Sequence, residues 1–384
     1  MRRRLVLASA GAGKSRLIVK QALERVALGE KVLILTYTEN NQEELVRKFC
    51  KLRGIVPSAV TIKGWFTFLL EDMIRPYQSC IFHDRITSIH FNSVDPHKRN
   101  GRYIPGRGEK IGTNYNPKHF LTSKEGKAHT TYISKLAVRI NSVSVGKPIS
   151  RLSGIYRSIL IDEVQDLTGW DFEVMRLISS SDMGQFCCVG DFRQTLYSTH
   201  QSTKKPKENL EKLAHFGDIG LAPEHLNQSW RCIQKICDFA DLVHKDEGVY
   251  ELTESKVEEV EPEHADHLGV FVVKPGNVGA YIDKYQPTIL RAKRNSHKAL
   301  CEGREAYNFG EAKGMGFNRV LICATDKHMK FLAGEEDVFE SDQTTKAKNA
   351  LYVAITRARF SVAFLYAGDV DLEGVEVWSS PWDQ

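Results

Sequence analysis

Residues Arg4 to Leu28 read RLVLASAGAGKSRLIVKQALERVAL. Four apolar or β-prone residues, Arg4 to Leu7, are followed by a loop of small residues, ASAGAGKS from Ala8 to Ser15. A stretch with helical spacing, Arg16 to Leu28, comes next. Glycines allow a backbone to close around an anion, and the exposed N–H groups and helix N-terminus supply positive potential. On this pattern Ala10, Gly11, Ala12, Gly13, Lys14, Ser15 and Arg16 form a phosphate cradle, with Lys14 on the β- and γ-phosphates and Ser15 ligating Mg²⁺. The loop departs by one residue from the strict pattern, because Ala8 stands where glycine is usual.

Working outward, the strand–loop–helix unit recurs. Short apolar runs at Val32 to Leu35, Ser158 to Ile161 and Phe186 to Val189 each precede a candidate helix. Further runs follow at Val270 to Val273, Thr288 to Leu290, Val320 to Cys323 and Ser361 to Leu365. Alternation of this kind predicts an α/β protein with parallel sheets covered by helices. With 384 residues, 42% of them hydrophobic, the chain is long enough for more than one core. The expected organisation is a first lobe over 1–75 and 151–222, a basic insertion over 76–150, and a second lobe over 223–384.

The run ILIDEVQD, Ile159 to Asp166, is an apolar strand ending in two adjacent carboxylates. Asp162 is the candidate for Mg²⁺ and Glu163 for the base that polarises an attacking water. VGDFRQTLY, Val189 to Tyr197, ends a further apolar run. Ligands of open α/β sheets lie beyond the carboxyl ends of the strands, so Lys14, Thr36, Asp162 and Gln194 are expected on one sheet edge. Cleavage of a γ-phosphate develops negative charge that arginines can stabilise, and Arg231 and Arg357 stand at expected element ends for that role.

Formal net charge is +5, but residues 81–150 hold twelve Lys and Arg against four Asp and Glu, which leaves the remainder of the chain net acidic. Interleaved Tyr103, Tyr115 and Phe120 make this block suited to a phosphate backbone. None of the eight cysteines shows CxxC spacing, so reduced thiols and a cytoplasmic location are expected. The apolar run after Arg4 is too short for a signal peptide or a membrane span, and no membrane association is expected.

Taken in order, ASAGAGKS, ILTYTENNQEEL, TIKGWF, DEVQD, VGDFRQTLY, LNQSWRC, AKGMGF and LYVAITRAR resemble the motif series of the UvrD/Rep family of superfamily-one helicases. That resemblance implies two RecA-like P-loop lobes and ATP with Mg²⁺ as cofactors. Lys14, Asp162, Glu163, Gln194, Arg231 and Arg357 would be catalytic, with Ser15 and Asp162 on the metal. Arg16, Gln194, Arg231 and Arg357 match positions that contact the triphosphate, and Trp230 matches an aromatic that stacks on adenine. Thr36, Tyr37, Thr38, Lys63, Gly64, Trp65 and Tyr197 match positions that contact the strand.

The chain departs from the family in four places. Only Met1 to Arg4 precede the first strand, where the family has a glutamine motif that reads adenine. Gly316 replaces a ribose-contacting glutamate, and Ser198, Thr199 and His200 stand where a Trp-Arg-Gly platform is usual. Between Arg231 and Lys313 there is room for the lobe but not for the family's large second-lobe insertion. The implied function is an ATP-driven translocase or helicase on single-stranded DNA or RNA, moving 3′ to 5′. A second reading is a nucleic-acid-sensing regulatory ATPase beside a nuclease in DNA repair or antiviral defence. A small-molecule P-loop kinase has no use for TIKGWF or for paired second-lobe arginines.

Overall fold

The computed structural model describes residues 2–196, 204–340 and 345–380. Twelve strands build two six-stranded sheets. The first comprises β1 (Arg2–Ala8), β2 (Val32–Thr36), β3 (Val60–Gly64), β4 (Ser158–Ile161), β5 (Gln185–Gly190) and β6 (Pro223–Leu226), in the order β6-β1-β5-β4-β2-β3. The second comprises β7 (Gly269–Val273), β8 (Thr288–Arg291), β9 (Ala306–Asn308), β10 (Phe317–Cys323), β11 (Ala358–Leu365) and β12 (Val375–Trp378), in the order β9-β8-β10-β11-β7-β12. Pairing is parallel at β5–β4, β4–β2 and β2–β3, and throughout the second sheet.

Covered parallel strands need apolar side chains on both faces, and the inner strands have them. Every residue of β2, β4, β5 and β7 is buried. Each fully buried Ile, Leu or Val of such a strand contributes roughly 1.5–3 kcal/mol. Register brings functional ends level: Ile161 lies opposite Leu35 and Cys188, and Thr36 opposite Gly64.

The loop between β1 and α1 (Lys14–Ala27) turns at Gly11 and Gly13, with φ of 76° and 81°. Helix α2 (Glu39–Arg53) is capped by Thr38, whose hydroxyl accepts from the Asn41 N–H, and stops at left-handed Gly54. Between β3 and β4 the chain forms the basic insertion. Two tight antiparallel hairpins pair Lys98–Arg99 with Arg102–Tyr103 and Lys110–Ile111 with Asn114–Tyr115. They hang on a buried ring stack, His97 on Tyr132 at 4.2 Å and on His119 at 4.3 Å. Burial pulls His119 down to about 4, so the stack is neutral at ordinary pH. Helix α3 (Thr130–Val143) carries Tyr132 and returns the chain toward β4.

The chain divides into two compact units. Lys14–Gly190 lies in the first, while Leu7–Gly13, Asp191–Leu196 and the residues from His225 onward belong to the second. In the second unit α4 (Gln234–Leu242) and α5 (Thr345–Ile355) share an apolar core with β7, β10 and β11, centred on Ile236, Val272, Ile322, Leu351 and Val362. No described helix is long and apolar enough to cross a membrane.

Candidate nucleotide site and strand-contact residues

In the first unit the carboxyl end of β4 delivers Asp162 and Glu163. The Asp162 N–H donates to Leu35 O at 2.8 Å, which extends the β4–β2 ladder by one residue. Glu163 adopts left-handed geometry, φ 53° and ψ 40°, a strained conformation for a residue with a side chain. Its N–H donates to Asp162 Oδ1 at 3.0 Å, and its side chain accepts from Gln165 Nε2. Strand β5 runs close by: a Cβ on Gly190 would lie 2.4 Å from Gln165 Oε1 and 3.2 Å from the Gln165 backbone nitrogen, so a larger residue would displace the Gln165 side chain.

Lys14 opens α1 and places Nζ 3.6 Å from Glu163 Oε1. Asp162 is 3% exposed, and burial together with the Glu163 charge pushes its carboxyl up to about 7, against the pull of Lys14. Ser15 donates its hydroxyl to Glu44 Oε1 at 3.1 Å. Burial would raise Glu44, but Lys48 outweighs it and holds this carboxylate below its ordinary range. Glu44, on α2, is a member of the site that sequence reasoning passed over. Its only signal was a place in the polar run ENNQEEL.

This acidic set fits a divalent cation. Asp162 holds a buried carboxyl at the end of a strand, and the Ser15 hydroxyl lies at the start of the helix that follows the glycine loop. No group of three or more His, Cys, Asp or Glu ligands occurs among the described residues. A buried carboxyl with a nearby hydroxyl is a donor set of the kind Mg²⁺ takes, since it keeps several waters and binds one or two carboxylates plus substrate phosphates.

The second unit holds the front of the glycine loop and the arginines. Ala10 N–H donates to the Tyr352 hydroxyl at 3.3 Å, Ser229 donates to Ala10 O at 2.9 Å, and Trp230 N–H to Gly11 O at 3.1 Å. A Cβ on Gly11 would sit 2.7 Å from both Arg231 Cβ and Ser229 Oγ. Trp230 itself is 63% exposed, with its ring free to meet a flat partner. Arg231 donates to Thr356 O at 3.2 Å. Arg357 is 1% exposed and donates to Val353 O, Met315 O and, at 3.2 Å, Gln194 Oε1. Burial and the neighbouring Arg231 bring its guanidinium down to about 9. Gln194 in turn donates to Asp191 Oδ2 at 2.7 Å. Arg16 follows Ser15 on α1, and its side chain is exposed.

The match to the UvrD/REP helicase N-terminal domain covers residues 2–131 and 134–215, more than half of the sequence. The chain belongs to the UvrD/REP helicase family. It is also similar to "Putative ATP-dependent DNA helicase YjcD" of Bacillus subtilis (strain 168), with 23% identity over 280 residues, 63% of this chain. The chain spans 36% of that relative's length. Two solved structures of Arterivirus nonstructural protein 10 (helicase), one of them a complex with DNA, are similar over 95% of the chain at 14% identity. Their TM-scores are 0.45 and 0.44, and the chain covers 59% and 60% of them.

The residues matched to strand contacts in the sequence fall largely at the ends of β2 and β3. Thr36 is buried with its hydroxyl unpartnered, Tyr37 is half-buried, and Thr38 is the cap of α2. Lys63 is ion-paired to Asp72 at 2.7 Å and Glu71 at 3.1 Å. Gly64 leads into a short helix at Trp65, whose ring is 1% exposed and whose N–H donates to Asp171 Oδ1 at 2.8 Å. Tyr197 lies outside the described residues, as do Ser198, Thr199 and His200. A row of rings runs instead from Tyr37 to Phe66 at 5.8 Å and on to Phe91 at 5.7 Å. Phe91 is 72% exposed, and the sequence singled it out in no way beyond its place in the basic insertion.

Proposed function

We propose that this chain is an ATP-dependent helicase motor that translocates 3′ to 5′ along single-stranded DNA. The observation that carries the reading is the set at the end of β4. Lys14, Ser15, Asp162 and Glu163 sit together, and Lys14 pairs with the carboxylate expected to act as base.

In this reading Ala10 to Arg16 receive the triphosphate through backbone N–H groups, and Lys14 moves from Glu163 to the β- and γ-phosphates. Asp162 and Ser15 would hold Mg²⁺, which supplies Lewis-acid stabilisation of the phosphate oxygens when bound. Glu163, freed of its lysine, accepts a proton from the attacking water at a carboxylate oxygen. Gln194 orients that water or the γ-phosphate, and Arg231 and Arg357 stabilise the charge that develops there. Trp230 stacks on the nucleotide base.

On the strand side, Thr36, Tyr37, Thr38, Lys63, Gly64 and Tyr197 track the backbone and bases, Trp65 holds the end of β3 from within the core, and exposed Phe91 adds a stacking surface. Stacking on aromatic rings tolerates any base, so the motor need not read sequence. The hairpin cations Lys98, Arg99, Arg102 and Lys110 supply positive potential for the phosphates. A cytoplasmic setting belongs to the same reading.

The test is ATP hydrolysis by the purified chain with and without oligo-dT, followed by strand displacement on duplexes with 3′ or 5′ tails. Stimulation by the single strand and displacement only from 3′ tails support the proposal. Unstimulated hydrolysis overturns the motor reading, and stimulation without displacement on either tail replaces it with a nucleic-acid-sensing ATPase that serves a partner such as a nuclease.

A further inference from the structure

Arg193, beside the glutamine at 194, is a buried cation that the ATPase reading does not use. It belongs to the second unit and is 2% exposed. Burial of a lone guanidinium is costly, so its partners show what it is held for. Nη1 donates to Asp241 Oδ1 at 2.8 Å, Nε lies 3.5 Å from Asp191 Oδ1, and Nη2 donates to Ser9 Oγ at 2.8 Å. The guanidinium also lies against the rings of Tyr352 and Tyr250, 4.6 Å and 5.0 Å from their centroids. Asp241 is itself fixed by Thr253, whose hydroxyl is 2.9 Å from Oδ1 and 3.0 Å from Ser9 Oγ.

Packing alone does not account for this pattern. An apolar side chain would fill the volume between two tyrosines without desolvating a charge. Instead the arginine reaches from the Asp191–Gln194 turn to the first polar residue of the glycine loop. A second route joins the same two segments, since Tyr352 accepts from Ala10 N–H and its hydroxyl lies 3.4 Å from Asp191 Oδ2. Asp191 also accepts from Gln194, which accepts from Arg357. The hydrogen-bonded chain therefore runs Ser9, Arg193, Asp191, Gln194, Arg357, all within the second unit.

We propose that Arg193 is a positioning residue for nucleotide, tying the front of the phosphate loop at Ser9 to the turn that carries Gln194 so that loop and glutamine are set as one piece. The inference rests on the ATPase reading above. Losing the tether leaves the phosphate-contacting groups in place but lets the loop adopt other conformations, so bound nucleotide must select the competent one. The loss falls on affinity before it falls on the chemical step.

Ser9→Ala removes one hydroxyl and keeps the fold, Arg193→Gln removes the cation, and the double variant tests whether they act through each other. Affinity for a fluorescent ATP analogue, KM and kcat for ATP, and Tm are measured on the full chain. Ser9→Ala is expected to weaken nucleotide binding and raise KM about tenfold, with kcat changed by about threefold or less. Arg193→Gln is expected to do at least as much, and the double variant to be no worse than Arg193→Gln alone. Arg193→Lys, which keeps charge but not the fork, should recover part of the loss.

A Ser9→Ala protein with lower Tm but unchanged KM and affinity overturns the proposal, as does a double variant whose losses multiply. If Arg193→Gln does not fold, Ser9→Ala decides alone by the same criteria. Lys14→Ala separates the two levels: if it still hydrolyses ATP, the ATPase reading fails, whereas its inactivity beside an unaffected Ser9→Ala fails only the tether.

Discussion

The carboxyl end of the first sheet and the arginine cluster of the second unit are opposites. In the first, Asp162, Glu163 and Glu44 gather around Lys14, and buried Asp162 is pushed up to about 7. In the second, buried Arg357 has Arg231 beside it, donates to neutral oxygens, and is brought down to about 9. One region carries negative charge that its own cations do not balance, and the other carries positive charge in the same state. Each is costly without a guest of opposite sign, and that cost marks a site built for ligand. In the proposed reading a cation answers the first and an anionic phosphate the second.

The largest effect expected is on the acidic side. Lys14→Ala should abolish hydrolysis, while Glu163→Gln should keep nucleotide binding and lower kcat by about a thousandfold or more. Steady-state hydrolysis together with nucleotide affinity checks both. Normal turnover in either variant breaks the assignment of this end as the hydrolytic one. On the basic side, Arg357→Lys should lower kcat roughly a hundredfold, because a lysine cannot reproduce the planar fork. A change in affinity alone would move Arg357 from the transition state to ground-state binding.

The third prediction concerns the cost itself. In EDTA and without nucleotide, Asp162→Asn should stabilise the protein by about 2–4 kcal/mol at pH 8, read from urea melts. The sign follows from the raised carboxyl. The folded state holds the proton more tightly than the unfolded chain, so ionising it costs stability as pH rises from about 4 toward 7. The amide avoids that cost, and the gain should vanish near pH 4. Equal stability of the two proteins at pH 8 would show that the acidic end is not strained. The smallest effect belongs to the strand-contact row: Phe91→Ala should weaken oligo-dT binding about tenfold without changing the salt slope, because stacking releases no counterions. A shallower slope would count against stacking.

How far the sequence could reveal these regions follows from burial. The eight inner strands of the two sheets coincide with the eight apolar runs legible in the sequence. The four missed strands are the four sheet edges, β3, β6, β9 and β12. Their residues are largely half-buried or exposed, as in Pro223–Leu226 and Ala306–Asn308, so they carry no continuous apolar run. Inner strands are covered on both faces and announce themselves; edges share theirs with water.

The candidate nucleotide site shows the same division. Lys14, Ser15, Asp162 and Glu163 were legible because they end or follow apolar strands at a spacing that chemistry requires. Glu44, Arg193 and Phe91 were not. Their roles rest on contacts between residues far apart in sequence, such as Glu44 with Ser15, 29 positions away, and Arg193 with Ser9, 184 away, which no local pattern encodes. Trp65 shows the converse: an aromatic in a motif position is held in the core by Asp171.

In the proposed reading the residues at the end of β4 hydrolyse ATP in response to a single strand. The most direct test is the hydrolysis rate of the wild-type chain and of Glu163→Gln, titrated with oligo-dT at saturating Mg²⁺ and ATP. The wild-type rate is expected to rise with oligo-dT to saturation by at least about tenfold, while the variant binds the same strand with its rate flat near zero. A wild-type rate indifferent to the strand, or a variant that still responds to it, would show that these residues are not the strand-stimulated hydrolytic centre.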